Sequence, residues 1–202
     1  MSKFDDPPFP RGGTMGVTVT ADQAHWEGRE FWFENKDYST TSPVDRAAGG
    51  AGTLVKVRIV RNSSGIALLP KRLARFKLAN YGMQVDGYTT TTAEEGYPID
   101  EFLPAAGVAD KDLFYIVVEG PATCLTDLAA SSANVFSAGS VLVALTAATS
   151  QCTTAGRVSI NDLTGATQLL ALQVQNRVGA AMSAKTTANT NADALVHVKK
   201  SW

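Results

Sequence analysis

Apolar and polar residues alternate over short stretches of this chain, with the two-residue period of a half-buried β-strand. The clearest stretch places Val55, Val57 and Ile59 on one face and Lys56 and Arg58 on the other. Alternation or a short apolar run predicts further strands at residues 17–20, 31–33, 66–69, 75–78, 113–118, 141–145, 157–160, 170–178 and 195–199. The stretch 170–178 fits the period of a short helix equally well.

These short strands, together with frequent Thr and Gly, predict an all-β fold, a sandwich or a barrel-like domain with long loops. Residues 113–118 are apolar throughout, which indicates a strand buried on both faces. The chain has 202 residues, enough for one large domain or two small ones. We expect a β-rich domain over residues 16–202, with residues 16–95 and 96–202 as two candidate subdomains.

The first 15 residues predict an extended N-terminal arm. Three prolines, the last of them Pro10, are followed at once by Gly12 and Gly13, a composition that disfavours helices and central strands. The segment is either a frayed terminus or an arm that is ordered only by a neighbouring subunit. On the second reading the arm serves attachment more than folding, with Phe9 and Pro10 as candidate contact residues.

The charge balance excludes some partners. The chain has 18 Lys and Arg against 19 Asp and Glu, a formal net charge of −1, which does not suit wholesale electrostatic binding to nucleic acid or to an anionic membrane. No apolar run approaches the length of a membrane span. The first residues lack the apolar core of a signal peptide. We therefore expect neither a nucleic acid nor a membrane among the partners.

Charge is also unevenly distributed along the chain. Every charged residue between Arg46 and Val85 is basic, whereas those between Asp86 and Glu119 are acidic apart from Lys111. The basic and acidic strands either pair inside one sheet or meet across a subunit boundary. Residues 120–198 carry little charge and many small apolar side chains, as a large subunit interface does. This predicts a homo-oligomer, with a trimer favoured.

Four basic residues of this region are candidate contacts with the surface of another chain. Two adjacent strands with like charges on their outward faces are unfavourable unless an acidic partner compensates them. The partner would be residues 86–119 of the same chain or the surface of another chain. For the second basic strand, the outward orientation requires that Phe76 and Leu78 point inward. The four candidate residues are Lys56, Arg58, Arg75 and Lys77.

Groups suited to catalysis or metal binding are few and scattered. The chain has only two histidines and two cysteines, and it lacks a phosphate-binding loop, a serine hydrolase elbow and a calcium loop. We predict no catalytic residue, no bound metal and no cofactor. The polar side chains considered and set aside are His25, His197, Cys124, Cys152, Glu94 and Glu95.

Two stretches resemble the capsid decoration, or cement, proteins of tailed bacteriophages. The first is GYPIDEFLPAAGV at 96–108, which continues through DLFYIVVEGPA at 112–122. The second runs over residues 172–202 and includes RVGAA at 177–181, TTANT at 186–190 and ALVHV at 194–198. In that group a strand ending in a "VEGPA"-like turn precedes a small-residue β region, a late strand and a closing strand. The resemblance covers about the C-terminal half of the chain.

The resemblance implies a β-rich structural protein that binds the outer face of a phage head, often as a trimer, and has no enzymatic activity. The expected partners are the major capsid protein and further copies of the chain, and the expected location is the outer capsid surface of the virion. One alternative is another β-rich virion component, such as a tail-tube, baseplate or spike protein.

A further alternative, of a different class, is a carbohydrate-binding or hydrolytic β domain. Its sugar platform would consist of Trp26, Trp32 and Tyr38, and its acids would be drawn from Glu94, Glu95 and Asp100.

Overall fold

The architecture was analysed in a computed structural model, which describes residues 6–16, 24–46, 52–80, 82–89, 95–126, 137–144, 156–160, 177–186 and 192–199. Nearly all of its regular structure is β, which confirms the predicted all-β class. Short 3₁₀ turns lie at Ala24–Trp26 and Leu78–Asn80. The strands, in chain order, are β1 (Glu30–Glu34), β2 (Lys36–Asp37), β3 (Val44–Asp45), β4 (Leu54–Asn62), β5 (Leu73–Phe76), β6 (Gln84–Tyr88), β7 (Tyr97–Pro98), β8 (Leu113–Leu125), β9 (Val141–Ala144), β10 (Val158–Ile160), β11 (Arg177–Ala181) and β12 (Asp193–Lys199).

Ten of these strands form one curled sheet. Nine follow the order β10-β9-β11-β12-β8-β4-β6-β5-β7, and β1 pairs with β4 beside that path. A parallel bridge between Thr126 and Val158 brings β10 back to the end of β8, so the sheet curls into a half-barrel. Strands β2 and β3 form a separate two-stranded sheet. The prediction of a barrel-like β domain is therefore confirmed.

Strand β4 forms because its alternating side chains meet two different environments. Val55, Val57 and Ile59 are fully buried, whereas Lys56 and Arg58 are only partly covered, as the pattern predicted. One edge of β4 pairs with β8, and the other edge pairs with β1 over its first half and with β6 at its end. The two predicted basic strands, β4 and β5, are therefore separated by β6.

Strand β8 is the central element of the sheet, and both of its faces are buried. Leu113, Tyr115 and Val117 belong to one core cluster, and Phe114 and Ile116 belong to a second cluster on the opposite face. This confirms the expectation from the continuous apolar run. Both clusters combine residues from before and after residue 95, so the two candidate subdomains share their cores.

Strand β8 continues beyond the point where the resemblance placed a turn. The sequence of residues 118–122 lies inside the strand, where a register irregularity opposite Lys56 and Val57 accompanies a positive φ of 96° at Gly120. A Cβ on Gly120 would lie 2.6 Å from the carbonyl oxygen of Leu54. A glycine is therefore required where the long strand bends against β4.

Two predicted strands differ from the structure. Residues 66–69 form no strand; instead Leu68 makes a single bridge to Val108, and the Asn62 side chain holds the preceding turn by donating to the carbonyl of Ile66 over 2.7 Å. Strand β5 ends at Phe76, which is buried, whereas Leu78 is 93% exposed in the following turn. The expectation that Leu78 points inward is wrong, because the strand ends before reaching it.

The first described residues, 6–16, are called here the N-terminal strap. Phe9 is buried in the core cluster that contains Tyr115, with the two ring centroids 4.4 Å apart. The Tyr115 hydroxyl donates to the Phe9 carbonyl over 2.8 Å, and the Met15 amide donates to the Leu113 carbonyl. The expectation that this segment takes its order only from a partner is therefore wrong for residues 6–16, which the chain's own core holds.

Some predictions lie outside the described residues. The structure does not describe the strand expected at 17–20, and of the stretch 170–178 it describes only the last two residues. Glu94 and Cys152 also lie outside the described residues. The described end of the second stretch is extended and forms the start of β11.

Candidate functional site

Lys56 and Arg58 share the outward face of β4, as predicted, but their acidic partner is Glu30 on the neighbouring strand β1. The Lys56 Nζ lies 2.6 Å from the Glu30 carboxylate, and the Arg58 Nε donates to the same carboxylate over 2.9 Å. Burial acts to raise the pKa of Glu30, but the hydrogen bonds and charges of Lys56 and Arg58 outweigh it and hold that pKa below its ordinary value. For these two cations, Glu30 therefore takes the place of the expected partner within residues 86–119, and a contact with another chain stays a prediction.

The charge of Arg75 is neutralised by a carboxylate on the neighbouring strand β6. Its Nε donates to Asp86 across the β5–β6 pair over 2.7 Å. Here the acidic partner does come from residues 86–119 of the same chain, one of the two sources expected from the charge distribution. Reversing Arg58 or Arg75 would place like charges at Glu30 or Asp86, so such a change disturbs the fold itself as well as any docking surface.

Lys77 differs from the other three candidates. It follows the end of β5, its side chain is partly exposed, and no ion pair joins it to another residue in the described part of the chain. Arg61, a further basic residue of the same stretch, is compensated by Glu27. Of the four predicted contact cations, Lys77 is therefore the one whose charge the described fold does not neutralise.

The strap supplies a buried ion pair that the sequence did not reveal. Arg11 Nη2 lies 2.8 Å from the Asp100 carboxylate, and both side chains are almost fully buried. The amide of Gly12 donates to the other carboxylate oxygen over 2.8 Å. Within the described residues, the Arg11 Nε and Nη1 find no acceptor, and the guanidinium lies 4.8 Å from the Phe102 ring centroid. The one clue in the sequence was an arginine within a Pro- and Gly-rich segment.

The two contact candidates of the strap have opposite environments. The Phe9 side chain is buried among core residues, so it offers no surface to a second chain. Pro10 is exposed and keeps its place as a candidate contact. The loop after β7, which contains Glu101, is anchored by Arg46, whose Nη1 lies 2.7 Å from the Glu101 carboxylate.

The described residues of this set occupy different elements of the fold. Cys124 is fully buried in β8, where burial and the nearby charges of Glu101 and Asp193 raise the pKa of its thiol. His25 is exposed at the first turn, and His197 lies within β12 opposite Ala180.

The Glu95 carboxylate accepts a hydrogen bond from the Tyr97 hydroxyl over 2.5 Å. Among the described residues, no three His, Cys, Asp or Glu side chains converge as a metal site would require.

The aromatic residues of the alternative sugar platform are divided by the sheet. Trp32 is 52% exposed on one face of β1, beside Lys56, whose Nζ lies 5.7 Å from its ring centroid. Trp26 packs against the core cluster of Phe31, and Tyr38 packs edge-on to Phe33. Phe31 and Phe33 leave β1 on the opposite face from Trp32, so the three aromatic rings do not form one surface.

Helices able to span a bilayer, by length and apolar character, are absent from the described residues. Comparison of the chain with protein-family models gives no match, and comparison with curated proteins gives no significant similarity either.

Proposed function

We propose that this chain is a structural virion protein that binds the outer surface of a phage head and stabilises the capsid, as cement proteins do. Its partners are the major capsid protein and further copies of itself, in a trimer. Catalysis, metals and cofactors play no part in this function.

The observation that carries the proposal is the position of the stretch that resembles cement proteins. Residues 96–122 contain the edge strand β7, most of the central strand β8 and the loop between them. Asp100 in this stretch also anchors the strap through Arg11. The resemblance therefore falls on the segment that organises the molecule, as expected when the likeness is one of architecture and not of an added loop.

The ion pairs that the charged side chains form within the chain support a structural role. Glu30, Asp86 and Asp100 each hold a basic side chain of the same chain, and the first two of these pairs join neighbouring strands. Charged groups paired in this way link neighbouring strands and the strap to the sheet, as a rigid β module that cements a shell requires. The separation of Trp26, Trp32 and Tyr38 removes the platform on which the carbohydrate-binding alternative depended.

The test uses heads of the phage that encodes the chain, prepared without this protein. Purified chain is mixed with heads, with isolated tails and with empty buffer, and each mixture is sedimented. We expect saturable co-sedimentation with heads in a fixed ratio to capsid subunits, and a higher temperature of head disruption. Binding to tails alone supports the alternative virion role, and binding to neither particle overturns the proposal.

A further inference from the structure

The N-terminal strap occupies a seat formed by residues that come much later in the chain. The hydrogen bonds described above join the strap to Asp100, Leu113 and Tyr115, over separations that range from 88 to 106 positions for Asp100 and Tyr115. The carbonyl of Phe102 lies against Gly12. The strap seat is defined here by four residues: Asp100, Phe102, Leu113 and Tyr115. Its contacts with the strap are those of two complementary surfaces and not of a local turn.

The strap seat is selective at three positions of the strap. The Phe9 ring is buried against Tyr115, and the cation of Arg11 meets the Asp100 carboxylate. Gly12 has a positive φ of 79°, and a Cβ on it would lie 2.7 Å from the carbonyl oxygen of Phe102. The seat therefore fits a segment with an aromatic residue, an arginine two positions later and a glycine directly after it.

An empty strap seat is costly. Without the strap, Asp100 loses both its cation and the Gly12 amide that donates to its other carboxylate oxygen. The apolar face of Tyr115 also loses the ring that covers it. Because a carboxylate built to be buried is destabilising when it has no partner, the seat requires an occupant. That requirement is met equally by a strap from the same chain and by one from another copy.

We propose that the strap seat takes the strap of a second copy of this chain, so that copies are joined by exchanged straps. Each copy has one strap and one seat, and these balance in any closed ring of copies, the predicted trimer included. The exchange needs no surface beyond the one that the single chain already shows. A chain's own strap benefits from its high effective concentration, and inside an oligomer the neighbour's strap shares that benefit. This inference concerns assembly of the chain with itself and does not depend on head binding.

The test mixes two full-length variants, each of which impairs one side of the contact. Arg11→Met has a poor strap and an intact seat, whereas Asp100→Asn has an intact strap and a poor seat. Refolded together, they recover the native contact only between copies. We expect part of the mixture to melt at least about 6 °C above either variant alone, because one buried ion pair per two chains is restored. An affinity tag on one variant is expected to retain the other in the recovered fraction.

The matched control mixes Lys71→Met with Asp193→Asn. These variants impair a partly exposed ion pair that does not involve the strap, so their mixture is expected to gain no stability. An equal gain in both mixtures would reveal general subunit mixing and would overturn strap exchange. If the mixture of Arg11→Met with Asp100→Asn melts as its two components do, the strap docks only within its own chain and the inference is overturned, while the proposed head binding stands.

A peptide experiment covers the case in which Asp100→Asn does not fold. A synthetic peptide of residues 6–16 is added to Arg11→Met at about 1 mM, the order of effective concentration of a tethered segment. We expect this peptide to raise the melting temperature of the variant. The same peptide with Gly12→Ala is expected to have no effect, because of the clash with Phe102. If Arg11→Met does not fold, Phe9→Ala takes its place. A native peptide that fails to stabilise the variant overturns the inference.

Discussion

At the scale of single residues, Arg11 and Asp100 form the most deeply buried ion pair among the described residues. Their side chains are 0% and 1% exposed, so neither charge has access to water. A buried pair of this kind contributes little net stability over an apolar pair, but the loss of one partner leaves the other charge uncompensated. The fold therefore depends on Arg11 being present more than on the strength of its attraction to Asp100.

We predict that Arg11→Met lowers the free energy of unfolding by about 3 to 5 kcal/mol, because Asp100 then remains buried without its cation. Urea denaturation followed by fluorescence measures this. The matched control is Lys71→Met, which removes the partly exposed partner of Asp193 and is expected to cost less than about 1 kcal/mol. Equal losses in the two variants would contradict the prediction.

A second prediction concerns the acid sensitivity conferred by Glu30. Because its pKa is lower in the folded chain than in the unfolded chain, its stabilising contribution is full above the unfolded value and is lost as pH falls through the folded value. Glu30→Gln is expected to be less stable than wild type near about pH 7, with the difference shrinking between about pH 5 and pH 3. Chemical denaturation at several pH values tests this, and a difference that does not change with pH would refute it.

At the scale of elements, the bend in β8 lets one strand serve both halves of the sheet. Its first part pairs with β4 and its second part with β12. Gly120 lies at the junction, with a positive φ and with the Leu54 carbonyl close to the position of a Cβ. A side chain there meets both backbone strain and a steric clash.

We predict that Gly120→Ala destabilises the chain by about 2 kcal/mol or more. Gly65 also has a positive φ but open space around its Cβ position, so Gly65→Ala is expected to cost only about 1 kcal/mol. Thermal unfolding of both variants separates strain from clash. The argument fails if Gly65→Ala is the more damaging change.

The composition of the strap predicts that it contributes little to folding, whereas its packing in the structure predicts that it stabilises the fold. Phe9→Ala removes a ring from the core and is expected to cost about 3 kcal/mol, whereas Pro10→Ala changes an exposed residue and is expected to have little effect on the melting temperature. Calorimetry of the two neighbouring substitutions measures the difference. If Phe9→Ala has the same melting temperature as wild type, the strap does not stabilise the fold and the interpretation as a loose arm stands.

The sequence could predict those features of the fold and of the candidate site that depend on neighbouring residues in the chain. The alternation around Val57 and the apolar run at residues 113–118 predicted β4 and the doubly buried β8, because burial of a strand is written in its own residues. The pairing of Lys56 with Glu30 was not readable, since it depends on which distant strand lies alongside. The burial of Phe9 could not be predicted either, because a single aromatic residue forms no periodic pattern.

At the scale of the whole molecule, the self-association of the chain is a prediction from the charge-poor sequence of residues 120–198. Leu142, Val158 and Val196, which belong to this region, lie in the chain's own core. We expect light scattering at micromolar concentration to give the mass of a trimer. A monomeric mass, both free in solution and when eluted from heads, would contradict the trimer.

The attachment of the strap has a consequence for the order of events in folding. Its contacts with Asp100 and Tyr115 join residues 88 to 106 positions apart, so they close very long loops. On the ribosome, the strap is made before β8 and has no docking site until β8 has emerged. The strap is therefore among the last segments to be secured, and refolding is expected to be slow for a domain of this size.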